Sequence, residues 1–207
     1  MNIENIDRYI EIGKGSVNWY SECQKVFEDL FGIERLPLVC KLFAATSINT
    51  SLKANIYLFR KALYEIENNL PVGNYLPNIQ KQLNSIRNGG ELSGQKISAF
   101  EKAMSGDVNA VVVDTWILRA FELDKVYFRQ TKGKPKGVGR KRSAGTDEKT
   151  FKKIEAWIRE YAKSKQLEPR QLCAMIWVGI RIERTGDRNS HYKEILIYKL
   201  TNLFNVI

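Results

Sequence analysis

The chain has 207 residues, 43% hydrophobic and 27% charged, which is ordinary for a globular protein and enough for one sizeable core or two small lobes. No run approaches the ~18 consecutive apolar residues of a membrane span, the acidic start Met1–Asp7 lacks the order of a signal peptide, and three scattered cysteines (Cys23, Cys40, Cys173) argue against a disulfide framework, so an intracellular protein is expected. The net charge of +10 is uneven: residues 1–34 carry three basic and seven acidic side chains, whereas 125–165 carry fourteen basic and four acidic ones, an electrostatic footprint for a polyanion.

In chain order, Trp19, Cys23, Val26, Phe27 and Leu30 recur at helical spacing over 16–31, and Gly32 closes that helix. A second helix, from Leu36-Pro37 to about Ala45, is apolar on nearly every side and is expected to be buried. The polar break 46–50 then caps a helix over 50–67, with Leu52, Ile56, Phe59 and Leu63 on its inner face. A loop over 69–77 follows, marked by two prolines and a glycine, and Asn78 is expected to cap a helix over 78–87.

The Gly-rich turn Asn88-Gly-Gly-Glu-Leu-Ser-Gly-Gln95 feeds Lys96, which opens a short helix with Phe100, Ala103 and Met104 on its apolar side. After the break Ser105-Gly106-Asp107, the apolar run 110–113 delivers Asp114 and Thr115 to the mouth of the next helix. Read singly, Asp114 is a helix N-cap and Lys96 a solvated lysine.

Residues 131–145 hold six basic residues, four glycines, one proline and no acid, a composition that cannot build a core. A flexible loop is expected there, able to lie along a phosphate backbone or to serve as a localisation signal or solvated linker. Thr146-Asp147 starts a helix with the stripe Phe151, Ile154, Trp157, Ile158 and Tyr161, and Glu168-Pro169 starts another with Leu172, Cys173, Ile176, Trp177 and Ile180 inside. A last helix is expected over about 191–204. Trp157 and Trp177 read as core, Arg181, Arg184 and Arg188 as candidates for DNA contact, and no strand pattern is convincing. The single histidine, His191, has no nucleophile motif to work with, and no Cys/His cluster has metal-ligand spacing. The fold class expected is all-α, about eight helices in one domain spanning 1–207.

Residues 88–121 taken together resemble the helix-hairpin-helix (HhH-GPD) DNA glycosylase superfamily, which includes endonuclease III and 8-oxoguanine glycosylase. Gly94-Gln95-Lys96 stands where that family has the last hairpin glycine and its catalytic lysine, and Val113-Asp114-Thr115-Trp116 with Arg119 matches the segment that carries its catalytic aspartate. The eighteen positions from Lys96 to Asp114 equal the endonuclease III spacing. Leu92 replaces the hairpin's first glycine, Glu91 its usual proline, and the four-cysteine iron–sulfur loop is missing.

The resemblance implies a compact bilobal helical domain with a substrate cleft between lobes. It implies a monomer that acts on double-stranded DNA containing a damaged or modified base, in the nucleoid or a phage-infected cell, with no metal or organic cofactor. Lys96 would be the nucleophile and Asp114 the stabiliser of positive charge on the sugar. DNA contacts would come from Ser93, Gly94 and Gln95 of the hairpin, from Arg119, and from a polar corner holding Thr46, Ser47, Asn49 and Lys53. Lys132, Lys134, Lys136, Arg140, Lys141 and Arg142 of the basic loop would add phosphate contacts. Two further readings stand beside base excision with an abasic-site lyase step: a DNA base-hypermodifying transferase of the phage type on the same scaffold, and a non-catalytic DNA-binding module.

Overall fold

A computed structural model of the chain describes residues 3–123, 128–129, 142–143 and 147–186. Nine α-helices are present among these: α1 (Ile3–Gly13), α2 (Trp19–Phe31), α3 (Leu36–Thr46), α4 (Leu52–Glu67), α5 (Pro77–Arg87), α6 (Gln95–Met104), α7 (Thr115–Ala120), α8 (Glu148–Ser164) and α9 (Pro169–Thr185). The fold is all-α as expected. Two two-residue strands depart from it: Phe128–Arg129 pairs antiparallel with Arg142–Ser143, Phe128 opposite Ser143 and Arg129 opposite Arg142. Two-residue strands leave no alternating pattern to read, which is why the sequence does not announce them. No described helix is long and apolar enough to cross a membrane.

The chain divides into two units. In the unit that holds residues 18–112, α3 is the central helix, with α2, α4, α5 and α6 packed around it. Its composition explains this: Val39, Cys40, Leu42, Phe43, Ala44 and Ala45 are wholly buried, so the helix is covered on most sides and meets solvent along Pro37 and Lys41. Phe27, Phe43 and Phe59, each fully buried, meet with ring centroids 5.2–5.7 Å apart, one aromatic from each of α2, α3 and α4. Helix α5 begins at Pro77 with Leu76 at the N-cap, not at an Asn78 cap, and no side chain caps it. Proline's fixed φ and missing N–H make a first-turn position sufficient without one. Helix α2 begins at Trp19, three residues later than its apolar spacing suggests.

The other unit contains residues up to Val17 and from Val113, and it is built on α1 crossing α9, with α7 and α8 also packed on α9. The crossing is close because it is made at two glycines. A Cβ on Gly13 would collide with the Met175 carbonyl, and one on Gly179 with the Tyr9 carbonyl. Arg8 and Glu183 add an ion pair of 2.8 Å across the same helices. At the start of α9, Glu168 and Gln171 form a capping box, the Gln171 side chain accepting from the Glu168 N–H at 2.9 Å. Asp147 caps α8 by accepting from Thr150 N–H at 2.9 Å.

On the outer side of α8, Trp157 stacks on Tyr161 at 4.5 Å and meets Phe121 edge-on at 5.1 Å. Trp157 and Trp177 are both half-buried. Tyr161 Oη donates to Asp7 Oδ1 at 2.6 Å and Lys165 Nζ lies 3.1 Å from the same oxygen. The tyrosine's hydrogen bond, aided by the lysine, holds the Asp7 carboxyl below its ordinary value of 3.8.

Candidate active site

Lys96 is the second residue of α6, and the turn before it determines where its amine goes. Gly94 has φ 110° and ψ 131°, a conformation that a side chain resists, so glycine is required at this N-cap. The turn is tied down from α5. Gln82, buried in that helix, accepts from Ser93 N–H at 2.9 Å and donates to Ser93 O and Oγ, each at 2.9 Å. Ser98 Oγ donates to Leu92 O at 3.2 Å, and Ser85 Oγ donates to Glu91 O at 3.0 Å. Leu92, which stands in place of a glycine, is buried and anchors the turn by its side chain. Glu91, in place of a proline, is exposed and pairs with Lys41 at 2.6 Å.

The half-buried Lys96 side chain reaches the corner between α3 and α4. Its Nζ donates to Ser47 Oγ at 3.2 Å, and the Ser47 hydroxyl donates in turn to Ala44 O at 2.7 Å. With its own proton committed to that carbonyl, the Ser47 oxygen presents lone pairs to the amine. On its other side the amine lies 5.4 Å from the centroid of Phe100, whose ring is backed by Trp19 at 6.2 Å, Tyr20 at 6.1 Å and Phe43 at 6.1 Å. The Lys96 amine is thus held between a serine hydroxyl and an aromatic ring.

The same corner corrects the reading of Thr46. It is wholly buried, its hydroxyl 2.9 Å from Leu42 O and 2.6 Å from the buried Asn55 Oδ1, so it ties α3 to α4 and does not face a substrate. Asn49, exposed with φ 56°, takes the left-handed position of the turn, which asparagine tolerates. Ser51 caps α4 by accepting from Ala54 N–H at 3.3 Å. Lys53 is exposed on the first turn of α4. Of these corner residues, Ser47 is the one that meets Lys96. Ser93, Gly94 and Gln95 are exposed along the turn that leads to it.

Asp114, in the other unit, is the N-cap of α7. Its Oδ1 accepts from Trp116 N–H at 2.8 Å and Ile117 N–H at 2.9 Å. Arg119, one turn on, holds its guanidinium 4.4 Å from the centroid of Trp116. The two amide bonds account for the cap, and a role in chemistry would be separate from it. The cap and the chemistry make separable demands on Asp114→Asn. Its side-chain oxygen still caps the helix, so thermal melting should show a loss of about 1 kcal/mol or less, while a residue that opposes developing positive charge should lose activity sharply. Melting temperature and turnover measured side by side distinguish a cap that also acts from a cap alone.

Lys132, Lys134, Lys136, Arg140 and Lys141 lie outside the described residues, as do Arg188, His191 and the helix expected over 191–204. Arg142 belongs to the short strand pair. Sequence reasoning passed over Gln82, since a glutamine inside a helix looks solvated until its contacts are known. It also passed over Glu101 on α6. Burial raises that carboxyl, with Lys41 opposing the rise, but five residues from Lys96 it lies roughly 140° round the helix and takes no part beside the amine. Cys23, Cys40 and Cys173 are buried, and burial pushes the Cys40 thiol up to about 12, which makes it an inert core residue. Among the described residues, no group of His, Cys, Asp and Glu could hold a metal ion.

Over residues 10–184 the chain matches the model of a family of unknown function, DUF7178. The chain belongs to this family. The matched region takes in Ser47, Lys96, Asp114 and Arg119. No curated protein and no solved structure matches the chain.

Proposed function

We propose that the protein excises a damaged or modified base from double-stranded DNA and then cleaves the strand at the resulting abasic site, with Lys96 as nucleophile. The observation that carries this reading is the Lys96 amine, set by the Gly94 turn at the start of α6 and held by Ser47 Oγ. The likeness of 88–121 to the HhH-GPD glycosylases supports it. A base within the stack shields its sugar, so the nucleotide is first flipped out. The neutral Lys96 amine then attacks C1′, and the base leaves with the electron pair of the glycosidic bond and takes up a proton. Loss of the amine's proton and opening of the sugar ring give a Schiff base between Lys96 and C1′. Removal of a C2′ proton expels the 3′ phosphate by β-elimination, and water releases the lysine. The first step needs the amine in its neutral, nucleophilic form. The Asp114 carboxylate opposes the positive charge that develops on the sugar.

The test is incubation with duplexes carrying different lesions, with base release and strand nicking both read. Release of one class of base with nicking at its site is the expected result. No release from any duplex, together with no reaction on an abasic site, would overturn the proposal.

Basic residues of the 131–145 segment contribute phosphate contacts in this reading. Neutralising Lys132, Lys134, Lys136, Arg140, Lys141 and Arg142 together should flatten the dependence of log affinity on log salt by roughly 2–5 units, at about 0.9 for each phosphate that the protein no longer neutralises. Preference between lesions should change little, because phosphate contacts position a protein without reading bases. An unchanged slope would assign the segment to a solvated linker.

A further inference from the structure

We propose that the outer face of α4 is a binding surface for a single strand of nucleic acid, on which Tyr57 and Tyr64 stack unpaired bases while Lys53 and Arg60 take phosphates. Lys53, Tyr57, Arg60 and Tyr64 follow one another at spacings of four, three and four, which places them within about 60° of arc at 100° per residue. Tyr57 is 67% exposed and Tyr64 61%, on a helix whose opposite side is wholly buried through Asn55, Ile56, Phe59, Ala62 and Leu63. None of the four side chains takes part in a hydrogen bond or ion pair among the described residues. The helix's two carboxylates are engaged elsewhere. Glu65 accepts from Tyr75 Oη at 2.7 Å and lies 3.6 Å from Lys61, and Glu67 pairs with Arg35. The stripe is left uniformly positive between its rings.

The alternation of cation and ring selects the occupant. Protein interfaces gather aromatics at a centre depleted of charge, whereas here a cation precedes each tyrosine. Single-strand sites combine a cationic track with aromatic platforms. The two rings are separated by about 10.5 Å along the axis at 1.5 Å per residue. Bases stacked in a duplex repeat every ~3.4 Å, so these rings suit the splayed bases of an extended strand with a phosphate between them at Arg60. A duplex hides its base faces and would use the cations alone.

The proposal does not rest on catalysis by Lys96, and the full chain tests it by fluorescence anisotropy with labelled oligodeoxythymidine and with a duplex of equal length. The Tyr57→Ala/Tyr64→Ala variant should bind the single strand about a hundredfold more weakly, roughly tenfold per stacked base, and the duplex almost as the wild type does. Tyr57→Phe/Tyr64→Phe, which keeps the rings, should restore single-strand binding. Lys53→Gln/Arg60→Gln should lower the single-strand salt slope by about 1.4, at 0.7 per phosphate. Unchanged oligodeoxythymidine affinity in the alanine variant, with wild-type circular dichroism, overturns the proposal. So does self-association of the wild type that the alanine variant abolishes while strand binding persists, which would assign the face to a second copy of the chain. Lys96→Gln should bind oligodeoxythymidine like the wild type, so failure of this surface and failure of the proposed chemistry are read separately.

Discussion

Lys96→Gln is expected to abolish strand nicking and borohydride trapping on abasic DNA while leaving duplex affinity within severalfold. Glutamine is one atom shorter than lysine and uncharged, and the turn before it is held by Gln82 and Gly94, so the turn and α6 should keep their geometry. What the substitution removes is the nucleophilic lone pair, since an amide nitrogen forms no Schiff base. Ser47→Ala complements it. The amine survives in that variant without the hydroxyl that accepts its hydrogen bond, and nicking should fall by about tenfold to a hundredfold, the scale of a misplaced reacting group. Trapping that persists at the wild-type level in Lys96→Gln would remove Lys96 from the chemistry.

The largest effect on stability is expected from Gly179→Ala. A methyl at this position would overlap the Tyr9 carbonyl, and backbone cannot give way as a flexible side-chain end can. Alanine in mid-helix gains about 1 kcal/mol over glycine in propensity, but overpacking of a tight contact costs on the order of 1–3 kcal/mol and here forces α1 away from α9. The balance, a net loss of about 1 kcal/mol, should lower the melting temperature by roughly 2–4 °C for a chain of this size. Gly13→Ala meets the Met175 carbonyl on the same crossing and should behave alike. A melting temperature unchanged or raised in both variants would show that the helices do not pack at these glycines.

That crossing also shows where the sequence stops being legible. Helix α1 carries Ile6, Tyr9 and Gly13 on its buried side, but neither Gly13 nor Gly179 announces by its local sequence that a close contact is made there. Their meaning lies in a contact between segments remote in the chain, which no local pattern encodes. The apolar helix α3 was legible because burial on most sides leaves a composition of its own. The caps Asp114, Asp147 and Glu168 were legible because capping is local chemistry between neighbours. Gln82 was not, because its partner Ser93 is eleven residues away. Around Lys96, the glycine turn and the hydroxyl-bearing corner were both visible as stretches, but which hydroxyl meets the amine was not. Ser47 reaches Lys96, while Thr46, the adjacent residue, turns inward to Asn55.

The proposed chemistry makes a covalent bond at one atom, and that bond can be located directly. Wild-type protein incubated with an abasic duplex and borohydride, then digested and mapped by mass spectrometry, should carry the reduced sugar adduct on the peptide that contains Lys96 and on no other lysine. An adduct on a different lysine, or no adduct under conditions in which the protein binds the duplex, would contradict Lys96 as the nucleophile.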